Sequence, residues 1–210
     1  MLDTIVAIKG FGTTIAQIRA SELTWGIAVG QYLSYLPLLV ALLFAMPWLS
    51  RRSLRELGLR GFDRTTLVGG GLGAIAMYAV TIGIANLQFA ITHEKPQEAA
   101  ISFFTSTHDT ALIVTFAVVA AVAAPFMEEF IYRGFLFNAL LRYMPMWPAA
   151  IVSGALFGVS HASWSAFLPL ACSGVVLAYV YYRTGSLTAA MLTHAIFNLL
   201  NVALLSVTKS

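Results

Sequence analysis

The 210-residue chain reads as all-α: a polytopic transmembrane helical bundle with about six to seven membrane segments. Three observations point there. Hydrophobic residues make up 59% and charged residues 10%, against about 25% charged in soluble domains. Mean hydropathy is +0.82. Apolar runs long enough to cross a bilayer, roughly 20 residues each, alternate with short polar stretches. No polar stretch is long enough to fold alone, so a single transmembrane domain is expected over 24–210, with its chemistry in a core at 120–205.

Residues 1–23, "MLDTIVAIKGFGTTIAQIRASEL", lack the basic region, apolar core and small-residue cleavage site of a signal peptide. They are expected to form an N-terminal arm suited to the interface. Trp25 to Leu49 is the first span. The basic stretch "SRRSLRELGLRGFDR" follows, and Leu67 to Ile91 is the second span. A mixed polar loop carries His93 and His108. From Ala111 an apolar run continues to Ala124, where Pro125 is expected to interrupt it before helix resumes through Tyr143. Further spans are expected at 148–162, 165–182 and 186–207.

Charge sets orientation more than partners. The net charge of +3 is too small and too localised for nucleic acid, and none is expected as a partner. The positive-inside rule puts the loop of Arg51 to Arg64 in the cytoplasm, with Arg142 and Arg183 on the same side. The one cysteine, Cys172, excludes an internal disulfide. The expected location is a multi-pass position in a membrane, and the small size suits a prokaryotic cytoplasmic membrane.

Ionisable residues inside a span mark function by default. Three clusters qualify: Glu128, Glu129 and Arg133 in "EEFIYR"; His161 in "FGVSH"; His194 with Asn198 in "HAIFN". Glu129 and Arg133 are four apart and share a helix face, so they neutralise each other. Glu128 lies about 100° round the helix from Glu129 and is left without a local partner, as a general base must be. His194 and Asn198 are also four apart and aim at a common spot. At about 1.5 Å per residue from the cytoplasmic helix ends, Glu128 and His161 lie about 20 Å deep and His194 about 14 Å. One cavity lined by a carboxylate, two imidazoles and an amide suits water activation and oxyanion stabilisation. Singly, each has a plainer reading: packing histidines, a structural ion pair, an Asn that glues helices, and Phe157 as core.

Taken in order, EExxxR (Glu128 to Arg133), FxxxH (Phe157 to His161) and HxxxN (His194 to Asn198) resemble the motifs of the CPBP family, also called CAAX prenyl protease type II or ABI family. The resemblance covers roughly residues 50–205 and includes the basic "SLRELGLRGF". It implies an intramembrane endopeptidase. Glu128 and His161 match the residues that activate water, and His194 with Asn198 match the oxyanion site. Glu129, Arg133 and Phe157 fall in supporting places. Substrates would be membrane-anchored proteins or membrane-tail peptides. A metal-free reaction is favoured, with a zinc form on Glu128, His161 and His194 as the alternative; no HExxH occurs.

Other readings compete. "ACSG" at 171–174 resembles the nucleophile turn of rhomboid proteases, which would pair Ser173 with His194. Buried Glu and His also build proton relays in transporters, although no pair of symmetry-related broken helices is seen. A non-catalytic scaffold or bacteriocin-immunity protein would keep the fold without needing the motif residues.

Overall fold

A computed structural model describes residues 53–93 and 110–209, together with Pro37, Val40, Leu43, Phe44 and Pro96. The arm expected at 1–23, nearly all of the first span and the loop around His108 lie outside these residues. Residues 53–93 and 110–209 form five helices and no strand. They are α1 (Arg64–Thr92), α2 (110–140), α3 (Met146–Ser160), α4 (Phe167–Thr184) and α5 (Leu187–Lys209).

Three of the five are long and apolar enough to cross a membrane: Arg64–Thr92, Ile113–Leu140 and Leu187–Val207. Their outer faces carry bare Leu, Ile and Val, as at Leu72, Ile75, Val118, Val122 and Leu204. Such faces are the rule in lipid and a liability in water. The chain is an integral membrane protein. The segment expected as a span at 148–162 is a 15-residue helix. That is about 22 Å, short of the roughly 30 Å hydrocarbon layer. It ends where Ala162 takes a left-handed conformation at φ 52°. A non-glycine residue there costs about 1–2 kcal/mol, which the surrounding contacts must offset.

Pro125 does not interrupt α2. The helix runs through it by changing register: a π-turn segment at Val119–Ala123 precedes an α-helical stretch at Ala124–Glu129. Proline near the start of a new stretch lacks only an N–H that the wider turn has already displaced. A second π segment, Phe130–Phe137, follows directly. The two glutamates therefore sit on a short α-helical piece between two wide turns, a feature concentrated at functional sites.

The tightest packing joins α3 to α4. A side chain at Gly154 would meet the Ala171 carbonyl at 2.6 Å, and one at Gly174 would meet the Gly154 Cα at 2.7 Å. With no hydrophobic drive between helices in lipid, this backbone contact is what holds them. α1 packs on α5 through the Thr193 hydroxyl, which donates to the Gly70 carbonyl at 3.1 Å.

One end of the bundle is strapped by its loops. Leu187 N–H donates to the Gly58 carbonyl at 2.6 Å, and the Thr188 hydroxyl donates to the Arg60 carbonyl at 2.6 Å. Tyr181 Oη donates to Leu57 O and accepts from Asn138 Nδ2. These contacts put the 53–63 loop, the end of α2 and the α4–α5 turn at one end, as the arginine count expects. Asp63 caps α1 there, accepting from Thr66 N–H at 2.7 Å. That hydrogen bond, with a second from the Thr66 side chain, holds the Asp63 carboxyl below the usual range. The cap is thus in place at neutral pH and is lost only as pH falls through this lowered value.

Candidate active site

The site forms where α2, α3 and α5 meet, with α4 closing one side. Glu129 is its centre. Arg133 Nη1 donates to Glu129 Oε1 at 2.9 Å, and both side chains are 0% exposed. The i,i+4 spacing made this pair legible in the sequence. It did not show the third member: His194 Nδ1 bonds the same Glu129 oxygen at 2.9 Å. Nor did it show that Arg133 Nη2 reaches across to the Gly174 carbonyl of α4 at 2.8 Å. Glu129 Oε2 and Arg133 Nε are buried without a hydrogen-bond partner among the described residues, so the network is expensive to maintain.

A carboxylate paired with Arg133 accepts, so His194 carries a proton on Nδ1 and turns Nε2 the other way. Nε2 lies 3.9 Å from Glu128 Oε2. Glu128 is the open member of the pair, its side chain 28% exposed against 0% for Glu129. The adjacent glutamates therefore occupy different environments. One is sealed in an ion pair; the other faces space beside an imidazole.

Phe157 bridges the two histidines. Its ring centre is 4.7 Å from that of His161 and 5.8 Å from that of His194. The Arg133 guanidinium lies over the same ring at 4.9 Å, a cation–π contact. His161 sits at the C-cap of α3 instead of inside a span, because the helix stops one residue earlier. Its Nδ1 bonds the Phe157 carbonyl at 2.9 Å. A carbonyl only accepts, so this nitrogen is the donor and Nε2 is left as an acceptor.

Tyr132 was missed in the sequence. It packs edge-on against Phe157 with ring centres 5.3 Å apart. Its spacing of four from Glu128 was the available signal, since it puts both on one face. Asn198, one turn after His194 on α5, donates from Nδ2 to the Ala120 carbonyl of α2 at 2.8 Å.

Ser173 is turned elsewhere. Its hydroxyl donates to the Pro169 carbonyl at 2.9 Å and lies 2.6 Å from Thr81 Oγ1, while His194 Nδ1 is taken by Glu129. Ser173→Ala is therefore expected to leave cleavage within about three-fold of the parent and to lower stability by about 1 kcal/mol. Abolished cleavage with an unchanged melting point would restore the serine dyad.

Among the described residues, no group of three His, Cys, Asp or Glu side chains is arranged to hold a metal ion.

Residues 110–200 match the family model of type II CAAX prenyl endopeptidases, Rce1-like. The chain is also 28% identical over 81 residues to a Bacillus subtilis (strain 168) protein named "Putative membrane peptidase YdiL". That match covers 39% of this chain, and the chain spans about a third of that protein's length (33%). No solved structure matches the chain.

Proposed function

From the match of residues 110–200 to the Rce1-like, type II CAAX prenyl endopeptidase family model, we propose that the chain is an intramembrane endopeptidase driven by Glu128. The observation that carries the reading is the split between the glutamates, with His194 held by the buried one and facing the open one.

In this reading Glu128 takes a proton from water as the oxygen attacks the scissile carbonyl. His161, its Nδ1 fixed on Phe157, positions that water through Nε2. In its imidazolium form His194 donates from Nε2 to the developing oxyanion. When the carbon–nitrogen bond breaks, Glu128 returns its proton to the leaving amine. Arg133 and Glu129 hold His194 in place, and Phe157 spaces the two imidazoles. Substrates are peptides that present a scissile bond within the bilayer, as membrane-tail peptides do. Trimming of prenylated proteins is one member of that class.

The reading is tested by cleavage of a membrane-tail peptide library by the purified chain in detergent, with and without a strong zinc chelator. Cleavage is expected to be unchanged by the chelator. Loss on chelation, restored by added zinc, would replace it with metal-assisted hydrolysis. Failure of the parent chain to cut any member would favour a non-catalytic scaffold.

A further inference from the structure

Asn198 is assigned to the oxyanion by resemblance, yet one N–H of its amide already has a task. Nδ2 donates to the Ala120 carbonyl at 2.8 Å. Local backbone geometry explains why that carbonyl is free. In α register it would accept from Ala124 N–H, but that N–H goes to Val119 O, one residue further back. In π register it would accept from residue 125, which is proline and has no N–H. Neither register supplies a donor. An orphan carbonyl between helices in lipid has no water to turn to.

We propose that Asn198 is a positioning residue: its side-chain amide supplies the hydrogen bond that Pro125 cannot, pinning α5 to α2 about two turns before Glu128. A second hydrogen bond between these helices joins His194 to Glu129, four residues back along α5. Together they fix how α5 is rotated and how far along α2 it sits. The separation of Glu128 from His194 depends on both.

The pairing of Asn198 with Pro125 is what distinguishes a pin from a contact with substrate. Pro125→Ala returns an N–H to the chain, which can serve Ala120 directly or let the helix revert to α register. Asn198 then has nothing to correct. The first experiment is a melting cycle in detergent on the full chain, its four members the parent, Asn198→Ala, Pro125→Ala and the double variant. Asn198→Ala is expected to lower the melting point by about 4 °C in the parent and by about 1 °C or less on the Pro125→Ala background. An equal drop on both backgrounds overturns the proposal, whether or not the chain cleaves anything. If Asn198→Ala does not survive purification, the yields on the two backgrounds read the same coupling.

The second experiment rests on the endopeptidase reading and uses a quenched fluorescent membrane-tail peptide. Asn198→Ala is expected to cut kcat about 10²-fold in the parent with little change in KM, and only about three-fold on the Pro125→Ala background. A kcat that stays low while the melting point recovers would make Asn198 an oxyanion contact and overturn the positioning role. Absence of cleavage in all four proteins would sink the endopeptidase reading and leave the melting cycle to decide the pin.

Discussion

Glu128→Gln is expected to reduce cleavage by at least about 10³-fold while leaving the melting point within about 1 °C of the parent. The two halves of this expectation have separate causes. Gln keeps the shape of Glu and loses its ability to take a proton, so a general base at this position is removed outright. Stability is spared because Glu128 is not built into the packing. Its side chain is 28% exposed, and its nearest ionic neighbour, His194 Nε2, stands at 3.9 Å, beyond hydrogen-bond length. The measurement is a paired one, cleavage rate and thermal melting on the same preparation. Retained cleavage would move water activation away from Glu128. A melting point lowered by several degrees would mean that Glu128 is structural and that the lost activity reports unfolding.

The motifs were legible because helical spacing is a strong constraint. A spacing of four residues from Glu129 to Arg133 forces them onto one face, and burial in lipid forces charges to pair. What the spacing could not show was tertiary. His194 joins Glu129 across 65 residues of chain, and nothing local to either motif specifies that meeting. The π segments on either side of the glutamates were equally hidden. Hydrophobic pattern reads the same in α and π registers over so short a stretch, and only Pro125 hinted at a change. Proline suggested a break because its missing N–H was counted against an α register. The chain instead widens the preceding turn and lets Asn198 serve the carbonyl left over. The early end of α3 was obscured for a related reason. Ala162 is an ordinary helix former, and nothing in the local sequence signals its left-handed backbone. The close α3–α4 approach depends on Gly154 and Gly174. Small residues on spans were visible, but which faces they joined was not.

Glu129→Gln is expected to produce the opposite pattern from its neighbour. Removing one partner of a fully buried ion pair leaves the other charge uncompensated and costs about 3–5 kcal/mol. For a chain of this size that is a fall in melting point of roughly 6–20 °C. Arg133 is the group stranded: it is 0% exposed, and among the described residues only Glu129 and the Gly174 carbonyl accept from it. Because stability and catalysis fail together here, the single variant cannot separate them. The double variant Glu129→Leu with Arg133→Met does. With both charges gone, the burial penalty that the pair had to offset disappears as well, so most of the stability is expected to return. Cleavage is not expected to return, because His194 Nδ1 has lost the carboxylate that fixes its tautomer and direction. Recovery of stability without activity would assign Glu129 two duties, neutralising Arg133 and orienting His194. Recovery of both would reduce it to a clamp and leave His194 oriented by Phe157 packing alone. Equal loss of stability in Glu128→Gln and Glu129→Gln would refute the division of labour between the two glutamates.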